Sequence, residues 1–300
     1  MYVITGATSR TGHQIARRLL AAGQPVRVIG RSAERLQVFV ELGAEAVVAE
    51  PTDAVALTRA FRDAKAAWIM LQPNYVIDSP DFRAFQDSVT GALSAALLQS
   101  SVTHAVALSS WGADLPAGNG PVAGLHALER RLAAHSGLNV LNLRAGYFME
   151  NTLSFADSIL AEQAVLSPFD PEVRMPLIAI DDIVEAAVEH LLRLDFSGQQ
   201  ALELQGHEDL GLGEATRRIG QLIGRPDLEF RQISEQAFVD GLSAAGASDS
   251  VIGLMCEVVE AINGGLIRTR QPRSGRTTGT VRYEDFVRQS LLPRLAALQV

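Results

Sequence analysis

Tyr2-Val3-Ile4-Thr5-Gly6-Ala7-Thr8-Ser9-Arg10-Thr11-Gly12 is the stretch whose reading decides the fold. An apolar run ends at Gly6, and Gly12 leads a segment in which Ile15, Ala16, Leu19 and Leu20 recur at helical spacing. This is the strand–turn–helix setting in which a glycine-rich turn holds a dinucleotide. The first glycine permits the tight turn, and the last lets the helix lie close to the strand. The helix N-terminus offers unpaired N–H groups and a partial positive charge to a pyrophosphate. Ser9 stands where the pattern usually has its middle glycine, and its hydroxyl is suited to donate to a phosphate oxygen. Gly6, Thr8, Ser9, Arg10, Thr11 and Gly12 are therefore the first cofactor-binding candidates.

Working outward, short apolar runs at 2–5, 26–29, 46–49, 67–71, 105–108 and 140–143 alternate with helical patterns near 12–22, 32–42, 54–62, 81–99 and 122–135. Ser79-Pro80 ahead of Asp81 reads as a helix start with an early proline. Strand–helix alternation with almost continuously apolar strands means a parallel sheet covered on both faces. The fold class is α/β: a Rossmann-type doubly wound parallel sheet with a smaller, mostly helical C-terminal substrate lobe. After about residue 150 the pattern loosens over 151–175. Asp181 then opens a helix over 182–194, 201–204 reads as one more strand, and helices follow near 212–223, 234–245 and 247–263 and from Tyr283. The expected division gives residues 1–150, with about 176–205, to the dinucleotide domain, and 151–175 with 206–300 to the lobe.

The second strand ends Val28-Ile29-Gly30-Arg31-Ser32. An NAD-selective site places an acid here to receive the ribose 2′-hydroxyl, whereas this chain places Arg31. With Arg10 nearby, two guanidinium groups suit a 2′-phosphate, so NADP(H) is favoured over NAD(H).

Composition excludes several classes. A formal charge of −8 argues against a nucleic-acid partner held by bulk electrostatics. No apolar run reaches the roughly 18 residues of a membrane span. With no basic leader ahead of the first apolar run, a cytoplasmic address is expected. Cys256 is the single cysteine and lies in an apolar stretch, so it reads as core, and an internal disulfide is impossible. Histidines 13, 104, 126, 135, 190 and 207 have no metal-ligand spacing, and no metal is expected. The arginines at 268, 270, 273, 276 and 282 read as a solvated surface, with an anionic ligand or partner as the lesser reading.

Further stretches carry a family resemblance. They are His104-Ala105-Val106-Ala107-Leu108-Ser109-Ser110, His126-Ala127-Leu128-Glu129, Leu143-Arg144-Ala145-Gly146-Tyr147-Phe148-Met149-Glu150-Asn151, Ile180-Asp181-Asp182-Ile183 and Thr277-Thr278-Gly279-Thr280. With the opening turn, they make the chain resemble the NmrA-like group of atypical short-chain dehydrogenase/reductases over nearly its whole length. The resemblance implies a dinucleotide site and a small substrate lobe. It also implies a divided function: some members are NAD(P)H-dependent reductases, including quinone reductases, and others are non-catalytic redox sensors that act on a regulatory protein partner.

Related reductases use a Tyr-x-x-x-Lys pair. Here the residues four after Tyr2, Tyr75, Tyr147 and Tyr283 are Gly6, Ser79, Asn151 and Val287, and the single lysine, Lys65, precedes a strand. The pair is absent. His126 and Tyr147 are the remaining catalytic candidates, His126 as a near-neutral acid or a ribose contact and Tyr147 beyond the sixth strand. Ser109 and Ser110 end the fifth strand at the carboxyl edge, where open α/β sheets bind ligands. Leu71, Gln72 and Pro73 at the end of the fourth strand line the cofactor, while Asn74, Tyr147, Phe148 and Asn151 face a small-molecule substrate. The leading expectation is reduction of a small quinone or carbonyl compound by hydride transfer, and the alternative is a sensor. A quinone can take its protons from solvent, so it tolerates loss of the tyrosine–lysine pair better than a ketone does.

Overall fold

A computed structural model describes residues 1–71 and 77–298. Its first half runs β1 (Tyr2–Ile4), α1 (Arg10–Ala21), β2 (Val26–Gly30), α2 (Ala33–Val40), β3 (Glu45–Val48), α3 (Ala54–Ala60), β4 (Ala66–Met70), α4 (Phe82–Leu98), β5 (His104–Ser110), α5 (Val122–Ala133) and β6 (Asn139–Ala145). There follow β7 (Tyr147–Phe148), a 3-10 segment (Met149–Phe155), α6 (Ala156–Glu162), β8 (Ala164–Ser167), β9 (Met175–Ile178), α7 (Ile180–Arg193) and β10 (Gln199–Leu204). The rest is β11 (Asp209–Leu210), α8 (Leu212–Leu222), β12 (Glu229–Gln232), α9 (Glu235–Ala244), α10 (Asp249–Asn263), α11 (Tyr283–Phe286), a π segment (Val287–Leu291) and α12 (Leu292–Ala297).

Seven strands form the main sheet in the order β10-β6-β5-β4-β1-β2-β3, and every pairing is parallel. The connection reverses direction between β1 and β4, because β1 leads to β2 on one side and β4 lies on the other. Open sheets of this kind bind ligands outside the carboxyl ends of the strands at that reversal. Thr5 pins the point: its hydroxyl donates to Trp68 O and accepts from the Met70 amide, each at 3.0 Å.

The alternation of β1 explains the two layers. Tyr2 and Ile4 face Ile15 and Leu19 of α1, Phe39 of α2 and Ile183 and Leu191 of α7. Val3 faces Leu57 of α3, Leu93 of α4 and Leu128 of α5 on the other side. Burying one such side chain contributes about 1.5–3 kcal/mol, whereas a side-chain cap contributes about 1, so the buried faces hold these helices and the caps mark their starts. Ser9, Ser32, Asp53 and Asp81 cap α1 to α4. The α4 start differs from the expected one: Asp81 accepts the Ala84 amide at 2.9 Å, so Pro80 lies just outside the helix.

A third core gathers Trp111, Met149, Phe155, Ile159, Leu177, Ile219, Ile262 and Tyr283. Around it lie α6, α8, α10 and two small sheets, β11-β9-β7 and β12-β8. A 3-10 segment, a helix of seven residues and a strand of four are each too short to give a readable period, which is why 151–175 carried no pattern. Among the described residues, no helix is long and apolar enough to cross a membrane, and no His/Cys/Asp/Glu group could hold a metal ion.

Candidate functional site

The turn after β1 is shaped by its glycines. Gly6 has φ +60°, in the left-handed region that favours glycine. A Cβ on Gly12 would stand 2.3 Å from Gly6 O, so α1 can approach the strand only with no side chain there. The turn is tied down by the Ala7 amide donating to Ile29 O (3.2 Å) and the Ser9 amide to Gly6 O (2.8 Å). Ser9 Oγ accepts the Gly12 amide at 3.0 Å and lies 3.3 Å from both Met70 Sδ and Thr11 Oγ1. The serine in place of the middle glycine thus caps α1 from inside the turn, its oxygen accepting the Gly12 amide. Helix geometry gives no acceptor to the first-turn amides of Arg10 and Thr11, and these remain for an anion. Thr11 is buried, Thr8 is half-buried and Arg10 is exposed. This cradle, bare of side chains where the helix meets the strand, fits a diphosphate.

Arg31 is exposed immediately after β2 and directly before Ser32, the cap of α2. One turn into that helix, Arg35 Nη2 donates to Thr8 O at 3.4 Å. The sequence reading passed over Arg35, although its place three residues after a capping serine aims it back at the dinucleotide turn. Leu71 is buried just past β4, and Gln72, Pro73 and Asn74 lie outside the described residues.

A cavity of about 920 Å³ runs from Arg10 into the lobe. Ser110, Tyr147, Phe148 and Asn151 line it, as do Trp111, Phe155, Phe169, Ile233, Met255 and Ile267. Tyr147 sits edge-on to Phe169 with ring centroids 5.7 Å apart. Trp111 follows β5 directly, and its indole N–H is buried with no acceptor among the described residues. Ser110 Oγ donates to Trp111 O at 3.1 Å.

Ser109 and His126 are placed differently. Ser109 is buried and donates to Glu129 Oε1 at 2.5 Å. Glu129 in turn takes both nitrogens of Arg144 in a bidentate pair, at 3.0 and 2.7 Å. That pair braces the carboxyl ends of β5 and β6 from beneath and, chiefly through the hydrogen bond to Glu129, raises the Arg144 pKa. His126 Nδ1 donates to Ala113 O at 2.9 Å, and His126 is not among the residues lining the large cavity. With Asn119, which donates to Gly112 O and Leu115 O at 2.9 Å each, it fixes the loop after β5. Lys65 lies over the Tyr2 ring, 4.5 Å from its centroid, beside the amino end of β4 and away from the carboxyl edge.

Glu150 stands in the stretch 143–151 that carried the resemblance, but nothing in the sequence assigns it a role. It lines both the large cavity and a smaller pocket formed with Thr8, Ser9, Arg10, His13, Gln14 and Ile180. Burial holds its carboxyl above the usual range, against the pull of the Ile180 amide, of its own amide and of Arg10.

Comparison with known proteins bears on this site. A family model described as NAD(P)H-binding matches residues 6–162. The (4-alkanoyl-5-oxo-2,5-dihydrofuran-3-yl)methyl phosphate reductase of Streptomyces griseus is 30% identical over 246 residues, 81% of each chain. Two solved structures share the fold. One is an NADPH-dependent quinone oxidoreductase from Escherichia coli complexed with NADPH, at 21% identity and TM-score 0.76, covering 96% of this chain and 99% of that one. The other is NmrA, a negative transcriptional regulator, in complex with NADP, at 16% identity and TM-score 0.69, covering 100% of this chain and 98% of that one.

Proposed function

The chain belongs to the NAD(P)H-binding family, and from that premise we propose that it is an NADPH-dependent oxidoreductase of a small, apolar quinone or carbonyl compound. The observation that carries this reading is the continuity of the cleft: one cavity begins at Arg10 of the dinucleotide turn and ends among Trp111, Tyr147, Phe169 and Met255. A ligand held at the turn has its far end directed into a half-open, mainly apolar cleft of the size that takes small ligands, a few hundred to about 1,000 Å³. The S. griseus relative is named a reductase of an oxo-dihydrofuran that carries an alkanoyl arm and a methyl phosphate. The apolar wall suits the arm, and Arg10 and Arg294 are the lining cations that suit a phosphate.

When bound, the nicotinamide would supply a hydride. The chain's own residues would position the acceptor and keep water away. Tyr147, held edge-on by Phe169, and Asn151 are the polar groups best placed to orient it, and Trp111 and Phe148 supply flat apolar walls. No lysine stands by to activate Tyr147, so the reading favours acceptors that need no strong acid, quinones before ketones. The Ala113 bond favours a loop-holding role for His126 over proton donation. Arg31, joined by Arg35 and Arg10 around the turn, supports preference for the 2′-phosphate. In this reading residues 1–150 with about 176–205 hold the dinucleotide, and 151–175 with 206–300 shape the acceptor pocket.

The test is NADPH oxidation against a panel of benzo- and naphthoquinones, with NADH in parallel. Turnover of at least one quinone above the uncatalysed rate is expected, with Arg31→Ala weakening NADPH about tenfold and leaving NADH unchanged. Tight dinucleotide binding with no turnover on any acceptor would replace the enzyme reading with the sensor reading.

A further inference from the structure

Glu150 is the one side chain of the 3-10 segment that borders both the dinucleotide-turn pocket and the large cavity. Its Oε1 accepts the amide of Ile180, the first residue of α7, at 3.0 Å. Ala179, at the cap position of α7, has no side chain that could do this. Capping α7 therefore explains Oε1. It leaves Oε2 unexplained: that oxygen is enclosed and, among the described residues, has no partner.

An enclosed carboxylate oxygen without a donor disfavours the ionised form. What supports ionisation is the Ile180 amide, then Glu150's own backbone amide, and then the charge of Arg10 on α1. The other titratable groups around it are His13 on α1, Asp181 on α7 and Asp157 on α6. His13 is held below its ordinary pKa by burial and by Arg17, so it adds little positive charge near neutral pH. Asp181 is of like charge and opposes ionisation of Glu150. A diphosphate seated on the first-turn amides of α1 would bring further negative charge to the same pocket and draw on the same Arg10.

We propose that Glu150 takes up a proton from solvent as the dinucleotide binds, so that affinity for the cofactor rises as the pH falls. The inference rests on the dinucleotide reading of the turn. Oε1 keeps the Ile180 amide in both states, and Oε2 receives the proton. No redox step is involved: the carboxylate becomes a carboxylic acid, and the charge removed is the one that would otherwise face the diphosphate.

The experiment is calorimetric titration of NADPH into the intact protein from about pH 5 to about pH 8, in paired buffers of different ionisation enthalpy, for wild type, Glu150→Gln and His13→Asn. Wild type should take up part of a proton per NADPH, with Kd rising by at most about tenfold per pH unit through the window. Glu150→Gln keeps an acceptor for Ile180 and imitates the neutral acid. It should bind as tightly as wild type does at low pH and lose that part of the uptake. His13→Asn should keep it. Proton exchange equal in wild type and Glu150→Gln would overturn the proposal. An infrared difference spectrum of wild type upon NADPH addition is a check independent of variants: a new protonated-carboxyl band is expected, and its absence would overturn the proposal. Failure of NADPH to bind at any pH would instead remove the dinucleotide reading itself.

Discussion

At one end of the cleft, Gly6 to Gly12 present backbone amides and the cap of a helix, all from one short run of chain. At the other end, Trp111, Tyr147, Phe169, Ile233, Met255 and Ile267 arrive from well-separated segments and meet only as side chains. The first end has no room to vary, because the clearance between Gly12 and Gly6 O does not admit a methyl group. The second end is a wall of apolar side chains that can be exchanged for others of similar size.

The largest effect is expected beneath both ends. Glu129→Ala leaves Arg144 half-buried without its bidentate partner and frees Ser109, and it should cost about 3–5 kcal/mol of stability, read by chemical or thermal denaturation. A loss under about 1 kcal/mol would show that Arg144 regains water easily and that the brace is dispensable. Gly12→Ala comes next. The added Cβ forces α1 away from the turn, costing about 1–3 kcal/mol and weakening dinucleotide binding with it. Unchanged binding would break the contrast between the rigid end and the adaptable one. At the lobe end, Met255→Phe should change the acceptor KM by about tenfold or less and leave NADPH affinity alone. Parallel change in both would mean that the two ends are not separable.

The smallest effect lies far from the cleft. Arg218 on α8 reaches Glu208, Glu214 and Glu284. Its hydrogen bonds hold Glu208 below the usual carboxylate range. A depressed carboxyl contributes stability that is present above its unfolded pKa and is lost as the pH falls through the folded one. These groups are partly exposed, so the gain is under about 1 kcal/mol per pair. Arg218→Ala should lower the thermal midpoint at neutral pH, with the gap from wild type closing on acidification. A gap independent of pH would assign the effect to packing.

The same contrast governs what could be read from the chain. The dinucleotide end was legible because its determinants are consecutive: the strand, the turn, the helix period and the glycine spacing lie within about twenty residues. The seven-strand sheet followed from the alternation, with β10 marked by its apolar run. Of the lobe end, only Tyr147, Phe148 and Asn151 were legible. Trp111 reads as one more apolar residue until Ala145 O receives its amide at 2.8 Å and sets it at the carboxyl edge. Beyond its own amide, the Glu150 carboxyl takes its meaning from Ile180, thirty positions on. Ser109 looked like a site residue because it ends a strand, yet its side chain lies on the buried face, toward Glu129. Strand parity, which sends neighbouring side chains to opposite faces, separates it from Ser110.

The most direct measurement of the account is calorimetry of NADPH with the wild-type protein beside Gly12→Ala. The account predicts saturable single-site binding by wild type, weakened by the substitution. No association of wild type with NADPH or NADH at about millimolar concentration, a limit near −4 kcal/mol, would contradict it.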